Sequence, residues 1–311
     1  MTANTASTPT EVVADVAATV VGPIAFVEPV QGFVGNESFR IRTATDQVFY
    51  LKSGPALAIK AEAWACDRAR REGIVAPDIV TTNLEATDLP AAYLIERAIE
   101  GQPISADDTE VLVSAGEQLR QLHSMTDLDG SGAGYGFLNQ GADQTTWAAV
   151  LLEPIETLAN LAGQDGSGTL GSTDTVISAD LVRRLRAVVP DAIGRLPQTP
   201  RALLHGDLHL RHIYASDGSL TGFIDWGDAL VGDPLFDLGR FSRAGPRATE
   251  ALLRGYGFDH TPALDHTLTL YRTIWSVMAM HWEHAANGDW FHEHLAAITD
   301  GLKVLEASKI S

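Results

Sequence analysis

The sequence predicts an α+β chain in two unequal lobes: a small N-terminal antiparallel sheet with one helix, then a larger and mostly helical part. Three observations lead there. Short apolar runs separated by Gly, Pro and Asn fill residues 20–51, the pattern of an antiparallel meander. Past residue 105, apolar side chains recur at helical spacing, as in Leu112, Ala115, Leu119 and Leu122. One stretch, residues 205–228, holds two β-type runs joined by Asp217-Gly218, a residue pair suited to a tight hairpin. With 311 residues, 45% hydrophobic and 20% charged, the chain has the material for an ordinary core and divides more naturally into two lobes than one. The break falls at Glu100-Gly101-Gln102-Pro103 and gives lobes of 1–97 and 98–311.

Each element has its reason. Residues 1–18, rich in Thr and Ala, read as a loose start, and the runs 20–27, 39–41 and 48–51 read as strands. Residues 56–71 are rich in Ala, contain no Gly or Pro, and are followed by Gly73, which marks a helix and its stop. Residues 91–95 form a buried strand. Ser105-Ala106-Asp107-Asp108 resembles a capping box at the start of the first helix of the second lobe. Gly, Asp and Asn make 126–144 a loop, residues 147–162 and 179–196 are helical, and the polar stretch 164–175 is a mobile loop. Residues 213–214 and 220–224 pair across the Asp-Gly turn, and amphipathic helices at 261–286 and 291–307 close the chain. No internal repeat is visible.

Composition narrows the function. A net charge of −18 argues against nucleic acid, whose phosphates need clustered Lys and Arg. It favours a cationic small ligand through the protein's field, and it equally serves solubility. No apolar run approaches the roughly 20 residues of a membrane span. Residues 1–10 have neither a basic residue nor an apolar core, so no secretory leader is expected. Cys66 is the only cysteine and has no internal partner, which fits a cytoplasmic protein, monomer or homodimer.

The hairpin at 213–224 returns Asp225 towards Asp207. A pair of carboxylates so placed suits phosphoryl transfer: one accepts a hydroxyl proton while the other holds a Mg²⁺ ion bridging nucleotide phosphates. Three segments sharpen this: His205-Gly206-Asp207-Leu208-His209, Ile224-Asp225-Trp226-Gly227-Asp228, and Gly232-Asp233-Pro234-Leu235-Phe236-Asp237-Leu238. In them the sequence resembles the aminoglycoside phosphotransferase-like branch of the protein-kinase-like fold, and the likeness runs over about residues 30–300.

The resemblance implies a bilobal protein-kinase-like fold, ATP or GTP with Mg²⁺ as cofactors, Asp207 as catalytic base, Asp225 as metal ligand and Asp237 as support for the catalytic loop. It implies that Lys52, after Val48-Phe49-Tyr50-Leu51, positions phosphates and that Glu62 is its ion-pair partner. Gly35-Asn36-Glu37-Ser38 looks like the loop over the phosphates, with Gly35, Asn36 and Ser38 in contact. Residues 93–98 sit where the family's hinge meets adenine, with Glu96 and Ala98 contributing. Residues 134–137 and Trp147 resemble segments of antibiotic-phosphorylating members. One position departs from the pattern: five residues after the base, the family's Asn ligand is His212 here. Imidazole nitrogen suits Mg²⁺ less well than oxygen. His212 then marks a single-metal site, a ligand through water, a changed metal preference, or low activity.

Other residues carry plainer readings. His205 and Asp237 are structural, and Asp228 and Asp233 serve turns. The group His281, Trp282, Glu283, His284, Asp289, Trp290, His292, Glu293 and His294 reads as helix surface with core tryptophans. Glu283, Asp289 and Trp290 could alternatively receive a cation. The expected activity is transfer of a γ-phosphate to a hydroxyl of a small, polar, cationic acceptor such as an aminoglycoside. The alternatives are a metabolite kinase for an amino alcohol or sugar, and a nucleotide-binding protein with little catalysis.

Overall fold

In the computed structural model of the chain, the residues described are 8–30, 36–125, 127–132, 134–164, 169–170, 175–286 and 288–307. The Thr- and Ala-rich start is ordered from residue 10 as helix α1 (Thr10–Val21), because Val13 and Ala17 lie one turn apart and are both fully buried. Gly22, at φ 86°, ends it. This corrects the loose reading for residues 10–18, residues 1–7 lying outside the described residues, and it moves the start of the first strand from residue 20 to Ile24.

Strands β1 (Ile24–Val30), β2 (Glu37–Thr43) and β3 (Val48–Gly54) follow, then helix α2 (Ala56–Arg71) and strands β4 (Asp78–Asn83) and β5 (Ala92–Arg97). They form one antiparallel sheet in the order β1-β2-β3-β5-β4. Alternation along β3 sends Phe49 and Leu51 into the cluster of Phe39, Ile41, Tyr93 and Ile95 beneath α1, and Tyr50 and Lys52 to the other face. Strand β4 was not expected, since its Asp-Ile-Val-Thr-Thr-Asn is largely polar and nowhere fully buried.

The larger part comprises β6 (Gln102–Pro103), α3 (Thr109–His123), β7 (Gly136–Phe137), α4 (Trp147–Gln164), the short pair β8 (Thr169–Leu170) and β9 (Thr175–Val176), and α5 (Ala179–Gly194). After these come β10 (Ala202–Leu204), β11 (Ile213–Ser216), β12 (Ser219–Phe223), β13 (Leu230–Gly232), α6 (Leu235–Phe241), α7 (Pro246–Tyr256), α8 (Pro262–Ala286) and α9 (Phe291–Ala307). Of the expected loop at 164–175, residues 165–168 and 171–174 lie outside the described residues. Helix α7 packs tightly on α3 because glycines let the backbones approach. A Cβ on Gly116 would sit 2.1 Å from the Leu252 carbonyl oxygen, and one on Gly255 would sit 1.9 Å from that of Val113.

The hydrophobic core continues across the junction near residue 97. Ala61, Ala65, Cys66 and Ala69 of α2 share a cluster with Leu112, Ala115 and Leu119 of α3 and with Phe223 and Trp226. The junction itself is tied down. β6 pairs with β11, Ile104 N–H donates to the Ile213 carbonyl at 3.0 Å, and the Thr221 hydroxyl donates to the Glu100 carbonyl at 2.6 Å. Among the described residues no helix is long and apolar enough to cross a membrane.

Candidate active site

The loop 205–207 is held from below by one side chain. Asp237, in the first turn of α6 and fully buried, accepts from His205 N–H at 2.8 Å and Gly206 N–H at 2.9 Å. His123 Nε2 lies 3.2 Å from the same carboxylate, and His123 Nδ1 is 3.0 Å from the Tyr256 hydroxyl. Burial works against the Asp237 charge, but His123 and the backbone donors outweigh it and hold the carboxyl below its usual range. Gly206 has φ 88° and lies against the Asp228 backbone, where a Cβ would come within 1.8 Å of the carbonyl oxygen. Only glycine fits such a place. His205 is fully buried, with Nε2 2.9 Å from the Ile224 carbonyl. Burial disfavours the charged form of its ring.

Asp207 therefore projects from a fixed backbone. Its Oδ1 accepts from Arg240 Nε at 2.8 Å, while Oδ2 faces His209 Nε2 at 3.6 Å and His212 Nδ1 at 3.7 Å. Desolvation opposes its charge, but His209, Arg240 and His212 hold it well below the ordinary carboxylate range. The Arg240 guanidinium lies 3.7 Å from the centre of the Trp275 ring, a stacked cation–π contact. Sequence reasoning missed Arg240. Its signal is the spacing: three residues after Asp237, it shares that residue's face of α6, so one helical turn grips both the backbone and the side chain of the loop.

The hairpin works by turn chemistry. Asp217 and Gly218 have φ 49° and 75°, the paired left-handed residues that match strand twist. Just past β12, Asp225 also has a left-handed backbone, φ 65°, a costly conformation for a residue with a side chain. Its carboxylate is 56% exposed, with Oδ2 3.4 Å from His212 Nε2 and Oδ1 3.9 Å from Lys52 Nζ. Lys52 bonds to Glu62 of α2 and lies 3.2 Å from Glu96. Burial disfavours the Lys52 charge, but Glu62, Glu96 and Asp225 more than compensate and hold its ammonium well above the usual value. Burial of Glu96 pushes its carboxyl upward despite Lys52. The structure thus brings Lys52, Glu62, Asp207, His212 and Asp225 into one site.

Other sequence-predicted positions fall differently. Gly35 lies outside the described residues. Asn36 is exposed, and Ser38 is half-buried as the register partner of Lys52. Between them, Glu37 accepts from the Thr8 N–H and hydroxyl at 2.9 and 2.5 Å. Glu96 and Ala98, expected at the hinge, both have partners within the protein. Glu96 lies inside β5, with β3 and β4 on either side, and its side chain goes to Lys52. The Ala98 N–H is committed to the Val48 carbonyl at 3.0 Å.

Asp233 serves its turn by accepting from Leu235 N–H at 2.9 Å, and it also takes the Tyr271 hydroxyl at 2.7 Å. Asp228 differs from a simple turn residue. Burial, with Asp207, Asp225 and Glu62 nearby, pushes its carboxyl up to about 7, and Asn139 Nδ2 is 3.5 Å away. In the histidine-rich segment, Trp282 packs against the core and Asp289, His292 and Glu293 are exposed, as expected, whereas His294 is buried against Trp275 and Trp290 is 53% exposed.

Two features surround the carboxylates. Ligand atoms of Asp207, His209 and His212 lie within 4.8 Å of one another. A cavity of about 380 Å³ opens between residues 135–144, α4 and α8, lined by Tyr135, Phe137, Val150, Glu153, Met278 and Trp282. Neither Asp207 nor Asp225 lines it, but Trp282 contacts Trp275 at 6.1 Å between ring centres, so its wall continues to Arg240. Such an arrangement can hold an anion at Lys52, a cation at Asp225 and a hydroxyl at Asp207.

Solved structures identify the architecture as the protein-kinase-like fold. Aminoglycoside phosphotransferase APH(4)-Ia in complex with ADP and hygromycin B is similar over 95% of this chain and 97% of its own, with 15% identity and a TM-score of 0.69. The macrolide 2′-phosphotransferase MphH of Brachybacterium faecium is similar over 95% and 97%, with 16% identity and a TM-score of 0.64. A choline/ethanolamine kinase family protein of Mesorhizobium loti is similar over 93% and 94%, with 20% identity and a TM-score of 0.61. No curated protein sequence matches. Residues 27–266 match the phosphotransferase enzyme family, APH, and the chain belongs to that family.

Proposed function

We propose that the protein transfers the γ-phosphate of ATP or GTP to a hydroxyl of a small, polar, amine-bearing molecule of the antibiotic type. The observation that carries the reading is the convergence of Lys52, Asp225 and Asp207 around His212, with 3.9 Å between Lys52 and Asp225 and 3.4 Å between Asp225 and His212.

The donors fit a divalent ion: the open carboxylate of Asp225 and the Nε2 atom of His212 face the same space. When bound, such an ion would offset charge on the phosphates. Lys52 binds phosphate oxygens, and Glu62 keeps its ammonium in place. Asp207 accepts a hydrogen bond from the acceptor hydroxyl and takes its proton through Oδ2, while Arg240 holds Oδ1 and fixes the direction of that oxygen. Asp237 keeps the loop from moving. Positioning and charge complementarity supply most of the rate in such a site.

Net charge of −18 draws an amine-bearing acceptor towards the protein, and the family's structural neighbours include an enzyme crystallised with hygromycin B. The aromatic wall from Tyr135 to Trp275 suits an acceptor with apolar surface. Similarity to the choline/ethanolamine kinase family protein over 93% of the chain makes an amino alcohol the second acceptor class.

The test is a transfer screen with ATP and GTP against aminoglycosides, macrolides and amino alcohols, with products weighed by mass spectrometry. Asp207→Ala is expected to abolish transfer and leave nucleotide binding intact. Full transfer by that variant removes Asp207 from its role. Nucleotide binding without transfer to any acceptor favours a binding protein instead.

A further inference from the structure

Two histidines flank Asp207, and their backbone partners fix which nitrogen of each carries the proton. His209 Nδ1 accepts from the Arg211 N–H at 3.2 Å. Its proton is therefore on Nε2, the atom that faces Asp207. His212 is the reverse. Its Nδ1 lies 2.9 Å from the Asp207 carbonyl oxygen, which has no proton to give, so Nδ1 carries the hydrogen and Nε2 keeps a lone pair. That lone pair points at Asp225 Oδ2, 3.4 Å away. Two acceptors this close repel unless a positive charge lies between them. Of Asp207, His209 and His212, which cluster within 4.8 Å, only His212 offers a nitrogen ligand, and its natural partner is Asp225.

We propose that His212 Nε2 and Asp225 Oδ2 form a mixed nitrogen–oxygen ligand pair that makes this site prefer first-row transition ions, from Mn²⁺ to Zn²⁺, over Mg²⁺. Imidazole nitrogen adds affinity for those ions, whereas Mg²⁺ favours oxygen and gives up water reluctantly. A 3.4 Å separation is what two neighbouring ligands span on one ion with bonds of roughly 2.1 Å. The pair is also held in place. The Nδ1 hydrogen bond fixes the ring's tautomer and direction, and the His209 ring lies 3.7 Å from it, centre to centre. The inference rests on the phosphotransferase reading, which puts a divalent ion at Asp225.

The experiment measures Mn²⁺ binding from the electron paramagnetic resonance of the free ion, in competition with Mg²⁺ and with AMP-PNP present. The wild type is expected to prefer Mn²⁺, and His212→Asn to lower the Mn²⁺/Mg²⁺ preference about tenfold. With ¹⁵N at histidine alone, pulsed resonance of bound Mn²⁺ in the unmutated protein is expected to show ¹⁵N coupling, which His209→Asn keeps and His212→Asn loses. An unchanged preference in His212→Asn, or no ¹⁵N coupling in the wild type, overturns the proposal. If Mg²⁺ binding is still lost in Asp225→Asn, the phosphotransferase reading stands despite that result. Failure to bind either ion with nucleotide present overturns both.

Discussion

Arg240 Nε donates to Asp207 Oδ1 at 2.8 Å while the Trp275 ring lies 3.7 Å beneath its guanidinium. One oxygen of the proposed base is thus pinned, and the other is left to the acceptor. Arg240→Met should lower kcat roughly 10- to 100-fold with little change in the KM for nucleotide, since the base swings without its anchor. Arg240→Lys should recover part of the loss, because an ammonium replaces the hydrogen bond but not the flat stack. Steady-state kinetics decide it, and a kcat unchanged in Arg240→Met removes Arg240 from the positioning of Asp207.

Asp237 replaces solvent for three donors at once. Asp237→Asn turns one acceptor oxygen into a donor facing a backbone N–H, inside a fully buried pocket. Loss of about 3–5 kcal/mol is expected from urea unfolding, together with loss of transfer activity. A variant as stable as the parent would show that the loop 205–207 holds itself.

Gly206 and Gly218 both have positive φ, 88° and 75°, but differ in surroundings. Nothing lies within 4 Å of a Cβ at Gly218, whereas at Gly206 the Asp228 carbonyl would be 1.8 Å away. Gly218→Ala should cost about 1 kcal/mol, the strain of a left-handed alanine. Gly206→Ala should cost clearly more and displace Asp207. Equal unfolding free energies for the two would contradict the close approach.

Asp228 makes stability depend on pH. Its carboxyl titrates near 7 in the folded chain and near 4 when unfolded. Between these values the folded state holds a proton that the unfolded state has lost, so this group's contribution falls as pH rises from about 4 to 7 and stays low above. Asp228→Asn removes the penalty. Measured with chelator by denaturant unfolding, it should be more stable than the parent by about 1–3 kcal/mol at pH 8, with little difference near pH 4. A constant difference across that range would contradict the shift.

Much of the site was legible because its residues are close in sequence. Asp207, His212 and Asp225 lie in one hairpin unit whose Asp-Gly turn and β-type runs announce themselves. Lys52 and Glu62, far from the hairpin in sequence, were legible only through the family resemblance, and a sheet and a helix bring them to Asp225. Arg240 was hidden by its apolar neighbours in Leu235–Phe241, where one arginine reads as a surface residue. Helix α1 was hidden by its β-branched Val and Thr residues, which have low helical propensity; burial of Val13 and Ala17 against the sheet overrides that preference. The partners of Glu96 and Ala98 were not visible locally, because strand pairing is set by residues distant in sequence.

The pairing of β6 with β11 has a mechanical meaning. The strip that joins the two lobes is stitched to the same hairpin that carries the acidic residues, and the Thr221 hydroxyl adds another stitch at Glu100. A swing of the small sheet relative to that hairpin would concentrate its backbone change in the few residues between Arg97 and Gly101. A chimera that grafts residues 1–97 onto a relative's larger lobe would inherit a foreign seam at that fulcrum and would need the hairpin 213–223 carried along with it to close properly.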